Sequence, residues 1–121
     1  MIIDSAKLRD VAEIEFSDIV EDVIIPDLNE LRIVLKDGSF VDVWHSLKLE
    51  GRFSLHWERQ FLDGTIYRHD NAPHLKWSNI SSFPTHFHNG TEDSVEASSI
   101  SSEPETALRE FLTFVKQRIS G

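Results

Sequence analysis

Two short stretches in the middle of the chain hold residue types suited to acid–base, phosphate or metal chemistry. In Tyr67-Arg-His-Asp-Asn-Ala-Pro-His74, Arg68 and Asp70 project from one face of an extended segment, Asn71 follows, and Pro73 stiffens the chain just before His74. A guanidinium stabilises charge on a phosphate and a carboxylate orients a histidine, whereas an isolated Arg–Asp pair beside a turn is ordinary surface chemistry. In Pro84-Thr-His-Phe-His88, two histidines separated by one residue put both rings on one side of an extended chain, as in open metal sites and acid–base pairs. His74 lies twelve residues before His86 in the same irregular segment, and His56, two residues before Glu58 in an alternating run, is another natural partner. His45 and His69 have no companion pattern and read as structural or surface residues.

The 121-residue chain contains no cysteine, which excludes disulfide scaffolds, thiolate zinc sites, iron–sulfur clusters and cysteine nucleophiles. His, Asp and Glu must carry any metal or catalysis. With 12 Lys and Arg against 21 Asp and Glu, the formal charge is −9, which excludes coating of nucleic acid or an anionic membrane by bulk attraction. The charge is unevenly placed: residues 1–30 sum to −7, 31–90 to +1, 91–105 to −5 and 106–121 to +2. All six histidines fall in the near-neutral stretch. No apolar run approaches the roughly 20 residues of a membrane span. The first ten residues also lack a cationic stretch followed by an apolar one, so a cytoplasmic protein with no membrane partner is expected.

The elements that must position these residues follow from periodicity and turn chemistry, and they predict a single domain over 1–121 of the α+β class. Ser5 is the expected cap of a short helix over 5–15, with Leu8, Val11 and Ala12 on one face. Aliphatic runs at Ile19–Ile25 and Leu31–Leu35 are separated by Pro26, Asp27 and Asn29, which are expected to end the first strand. Asp37-Gly38 and Asp63-Gly64 are signals for two-residue hairpins. Between them, Val41, Val43, His45 and Leu47 share one face of a strand, and Phe53, Leu55 and Trp57 alternate with Ser54, His56 and Glu58. With Thr65–Asp70 these runs predict a sheet over 18–70, an antiparallel meander of five to six strands. A His-rich loop over 71–90 follows, then an acidic, serine-rich connector or short edge strand over 91–103. The last element is a helix over 104–119, with Ser102 and Glu105 as a capping box and Pro104 in the first turn. Its stripe of Leu108, Phe111, Leu112, Val115 and Ile119 must cover one face of the sheet. An open sheet edge makes a homodimer an expectation as well.

The runs Arg52-Phe-Ser-Leu-His-Trp57, Tyr67-Arg-His-Asp-Asn-Ala-Pro-His74 and Phe83-Pro-Thr-His-Phe-His88, in this order and spacing, resemble the TumE-type proteins, small prokaryotic toxins of type II toxin–antitoxin pairs. The matching positions are His56, Arg68, Asp70, Asn71, Pro73, His74, Phe83, Pro84, His86 and His88. The chain departs from the family pattern at His69, where an aromatic is usual, at Leu75, where a second histidine is usual, and at Thr85-His-Phe-His88, where His-His-Lys-His is usual. A site that needs a histidine at position 75 or 85 is therefore defective here. The resemblance implies an RNA-directed, growth-inhibiting toxin, a ribonuclease, neutralised by a small antitoxin encoded beside it.

The chemistry expected from these residues is metal-independent, histidine-based cleavage of RNA with no cofactor. In that scheme His74 takes the proton of the ribose 2′-hydroxyl, His86 or His88 protonates the leaving 5′-oxygen, Arg68 holds the phosphate, and Asp70 sets a histidine's tautomer. His56 joins them if the hairpin register brings the polar faces together, and Asn71 and Trp77 are candidate substrate contacts beside Arg68. The rival is zinc or another divalent metal, structural or hydrolytic, held by His74, His86 and His88 with Asp70 as a further ligand. A third reading is a non-catalytic interaction module whose acidic ends serve a partner.

Overall fold

The computed structural model describes residues 2–121. Among these, seven strands form one antiparallel sheet in sequence order: β1 Val20–Asp27, β2 Glu30–Leu35, β3 Phe40–His45, β4 Phe53–Arg59, β5 Thr65–Asp70, β6 His86–Gly90 and β7 Val95–Ala97. Helix α1, Ser5–Asp10, continued by a π-helical turn over Val11–Glu15, precedes the sheet; α2, one turn over Gln60–Asp63, lies between β4 and β5; α3, Pro104–Ser120, closes the chain. The α+β meander with a helix before and after it is as expected, but it has seven strands where five to six were predicted. The added strands come from the stretch read as a loop over 71–90, which ends at residue 85, and from the connector, which supplies β7. β6 escaped the periodic pattern because both of its histidines are buried, so its alternation of His, Phe and His does not mark an inner and a wet face.

One face of the sheet carries the core. Leu8, Val11, Leu108, Phe111, Leu112 and Val115 from the helical segments pack in one buried cluster with Leu31, Ile33, Val41, Val43, Leu55 and Trp57 from the strands. The period of two that turns these residues inward sends Arg32, Asp42, His56 and Arg68 to the opposite face. His45 and His69 belong to the packing. His45 stacks on Phe53 at 5.9 Å, and burial pushes its imidazole below the usual value. His69 stacks on Phe87 at 4.3 Å, and burial lowers its imidazole to about 4.

Local chemistry corrects several expected boundaries. Asp4 rather than Ser5 caps α1, accepting from the Lys7 amide at 3.0 Å. Glu103 rather than Ser102 caps α3, accepting from the Thr106 amide at 2.6 Å with Pro104 next in the chain. Pro26 does not end the first strand. It lies inside β1, at the sheet edge and within a register slip between Ile24 and Asp27, where its missing N–H breaks no regular ladder. Asp37-Gly38 belongs to a three-residue loop, because Gly38 takes φ of 91° and donates to the Leu35 carbonyl while the Leu35 amide donates to Ser39. Gly64 likewise terminates α2, so β4 and β5 are joined by a longer loop than the dipeptide suggested. Leu47 is exposed because β3 ends at His45, two residues before it, and Ile119 in the last turn of α3 is only partly covered. No helix among the described residues is long and apolar enough to cross a membrane.

Candidate functional site

The register of the sheet stacks the chemistry-bearing residues in two rows on the face away from α1 and α3. In the first row His56 of β4 stands opposite Arg68 of β5, which stands opposite His88 of β6. In the second, Ser54, Asp70 and His86 are paired in the same way. Directly opposed residues place their Cβ atoms about 4.5–5.5 Å apart, so His56, Arg68, Asp70, His86 and His88 gather into one cluster.

Two loops close over it. The chain between β5 and β6 makes a 3₁₀ turn at Leu75–Trp77 that sets the Trp77 indole 6.3 Å from the His86 ring and 6.2 Å from the His88 ring. Under this cover His86 is 1% and His88 4% exposed. At the end of β6, Gly90 adopts φ of 95°, and the turn that follows carries Glu92 back to Arg68.

Asp70 is the hub. Its Oδ2 accepts from Arg68 Nε at 3.0 Å and its Oδ1 from the Ala72 amide at 3.1 Å. His86 Nε2 lies 3.2 Å from Oδ1, and His88 Nε2 lies 3.5 Å from Oδ2. Burial alone would raise this carboxyl, but the hydrogen bonds from Arg68 and the Ala72 amide hold it below the usual carboxylate range. The other ring nitrogens are fixed by backbone: His86 Nδ1 is 2.9 Å from the Pro84 carbonyl and His88 Nδ1 is 2.8 Å from the Glu92 carbonyl. A carbonyl only accepts, so both Nδ1 atoms carry the hydrogen. The Nε2 atoms are left facing Asp70, and His86 Nε2 is buried with no hydrogen-bond partner. Asp70, His86 and His88 each offer a ligand atom within 4.8 Å of the others.

Arg68 joins this hub to the surface. Its Nη1 and Nη2 donate to the two carboxylate oxygens of Glu92 at 2.8 and 2.6 Å, and Arg68 holds that carboxyl below its usual range. Nη1 also lies 3.4 Å from His56 Nδ1, while His56 Nε2 is 3.1 Å from Glu58. A planar fork closed on a pair of oxygens is the geometry by which arginine holds carboxylates and phosphates alike.

Of the residues singled out from the sequence, His56, Arg68, Asp70, His86 and His88 therefore meet, with Trp77 packed against the two buried histidines. His74 does not join them: it is exposed at the start of the 3₁₀ turn and lies outside the group formed by Asp70, His86 and His88. Asn71 is occupied with backbone, accepting from the Phe53 amide at 2.9 Å and donating to the Gly51 carbonyl at 2.8 Å. Glu92 was missed. Its signal is a turn glycine followed two residues later by an acid, and it points back to Arg68 only once 86–90 is understood as a strand.

The model of the protein family described as Toxin TumE matches residues 5–119. Comparisons with curated proteins and with solved structures find no match.

Proposed function

Since the chain belongs to the TumE toxin family, we propose that it acts by cleaving RNA at the Arg68 face of its sheet, and that an antitoxin encoded beside it neutralises it as a type II pair. The supporting observation is the row of His56, Arg68 and His88, with the Arg68 fork already closed on a carboxylate. A phosphate presents the same pair of acceptor oxygens, and Glu92, whose side chain is 57% exposed, swings away to admit it.

His56, oriented by Glu58, takes the proton of the ribose 2′-hydroxyl. The 2′-oxygen then bonds to phosphorus and the bond to the 5′-oxygen breaks, leaving a 2′,3′-cyclic phosphate and a 5′-hydroxyl. Arg68 stabilises the charge that develops on the phosphoryl oxygens. The leaving 5′-oxygen takes its proton from water, because His86 and His88 carry their hydrogens on Nδ1 against backbone carbonyls, and His56 returns its proton to solvent. We assign the base to His56 in place of His74, because His56 lies 3.4 Å from Arg68 while His74 is exposed on the loop. Trp77 supplies a stacking surface for a base at the rim. With β1 carrying Pro26 and irregular register, and β7 only three residues long, both sheet edges are blunted, so we assign no edge-paired homodimer.

The test is incubation of purified protein with single-stranded RNA, with the product ends identified. Wild type and His74→Ala are expected to give cyclic-phosphate ends, and His56→Ala and Arg68→Ala to lose ~10²- to 10⁴-fold in rate. An inert wild type, or undiminished cleavage by Arg68→Ala, overturns the assignment.

A further inference from the structure

We propose that Asp70, His86 and His88 bind one divalent transition-metal ion of the zinc type. Each histidine donates its Nδ1 hydrogen to a backbone carbonyl, Pro84 for one and Glu92 for the other. That outer bond is the one that fixes tautomer and ring orientation in metal-binding histidines. It leaves two Nε2 lone pairs beside the two oxygens of one carboxylate, at 3.2 and 3.5 Å, an arrangement that repels itself unless a cation stands between the groups. Protonating both rings instead buries two imidazolium ions on a single carboxylate that already serves Arg68, at a heavy desolvation cost.

The two histidine-to-carboxylate spacings fit an ion. Zinc bonds of about 2.0–2.1 Å in tetrahedral geometry separate neighbouring ligand atoms by roughly 3.3 Å. The Nε2-to-carboxylate distances are 3.2 and 3.5 Å. His86 Nε2 is buried and has no hydrogen-bond partner in the fold. The outer positions of Asp70 are also filled, by Arg68 Nε and the Ala72 amide. Three protein ligands leave a fourth position for water, as in catalytic sites. We rest on the cleavage scheme only for what the ion does: its water, acidified by the metal, gives its proton to the leaving 5′-oxygen, and the proton that His56 returns to solvent balances it.

Binding is tested without RNA. The full chain is stripped with chelator, returned to chelator-free buffer, and titrated with zinc chloride by calorimetry and with cobalt chloride by visible absorption. One ion per chain is expected, with the absorption of a four- or five-coordinate cobalt. His86→Gln and His88→Gln should bind more than about 100-fold more weakly, beyond the cost of losing an outer hydrogen bond, and His74→Gln as wild type does. A measurement on the wild type covers the event that either variant fails to fold: long-range proton–nitrogen spectra should show both Nε2 atoms unprotonated and shifted in the zinc-loaded protein. No saturable zinc binding by the wild type, undiminished binding by both variants, or an Nε2 hydrogen on either ring in the zinc-loaded protein overturns the site. A chain that binds zinc through these residues but leaves RNA intact upholds the site and overturns the cleavage scheme. RNA cleavage at full rate in chelator by a chain that binds no zinc does the reverse.

Discussion

Asn71 joins two segments with one side chain, its Oδ1 taking the Phe53 amide and its Nδ2 giving to the Gly51 carbonyl. It thereby fixes the end of β5 against the start of β4, the two strands that carry Asp70 and His56. Asn71→Ala leaves the Phe53 amide without its partner and is expected to cost about 1–3 kcal/mol in urea unfolding. RNA cleavage under conditions where the variant is fully folded should stay as in the wild type, whereas a substrate-binding asparagine would lose rate without losing stability. The cluster itself was legible because extended segments have a period of two: Arg68 with Asp70, and His86 with His88, share a side whatever their neighbours do. His74 was not legible, since an irregular loop has no period to tell where a side chain points, and here it points to solvent. Asn71 misled because a side-chain amide serves a backbone as readily as a phosphate, and only the tertiary position of Gly51 and Phe53 decides between them.

Helix α3 packs through Phe111 and Phe114 on the core face of β4 and β5, the strands that bear His56, Arg68 and Asp70 on their other side. Phe111 is fully buried and meets the His69 ring edge-on at 5.6 Å, one residue along β5 from both Arg68 and Asp70. Phe111→Ala is expected to destabilise the chain by about 3–5 kcal/mol, read from the denaturant midpoint. Ile119, 37% exposed in the last turn, should cost under about 1 kcal/mol when made alanine. A larger loss at Ile119 than at Phe111 would mean that the helix docks by its end. The apolar stripe of α3 was visible because helical spacing repeats over four turns, whereas its cap was displaced by one residue because Ser102 and Glu103 both offer an oxygen and backbone geometry chose the second. β7 was foreseen as one option, a short edge strand in the acidic connector, whereas β6 was invisible for a different reason. It is short, and its residues that would mark the wet face are buried by Trp77 and its loop, a contact that no local pattern encodes.

At the scale of the molecule, a charge of −9 keeps RNA away from most of the surface, so engagement must be local, at a face where Arg68 is already neutralised by Asp70 and Glu92. The same surplus of acids places the isoelectric point near 5.0, which confines stability measurements to higher pH, where the chain stays charged and soluble. In that window the carboxylates are silent. Asp70 and Glu92 have lowered values in the fold, so the stability they contribute is present above the unfolded range near 4 and is lost only as pH falls through their folded values. Histidines buried as neutral rings behave oppositely. Burial lowers His45, so the unfolded chain takes up a proton near pH 6.5 that the folded chain refuses, and stability falls as pH drops below that value. Between pH 7.5 and 5.5 one such group removes at most about 1.4 kcal/mol. His45→Phe, which keeps a ring against Phe53 at 8% exposure and removes the titration, is expected to lose correspondingly less stability over that range. His69, lowered to about 4 by its own burial, remains in both proteins and cancels from the difference. Urea unfolding of the two proteins at both pH values checks this, and equal losses would show that His45 accepts its proton in the folded chain as easily as in the unfolded one.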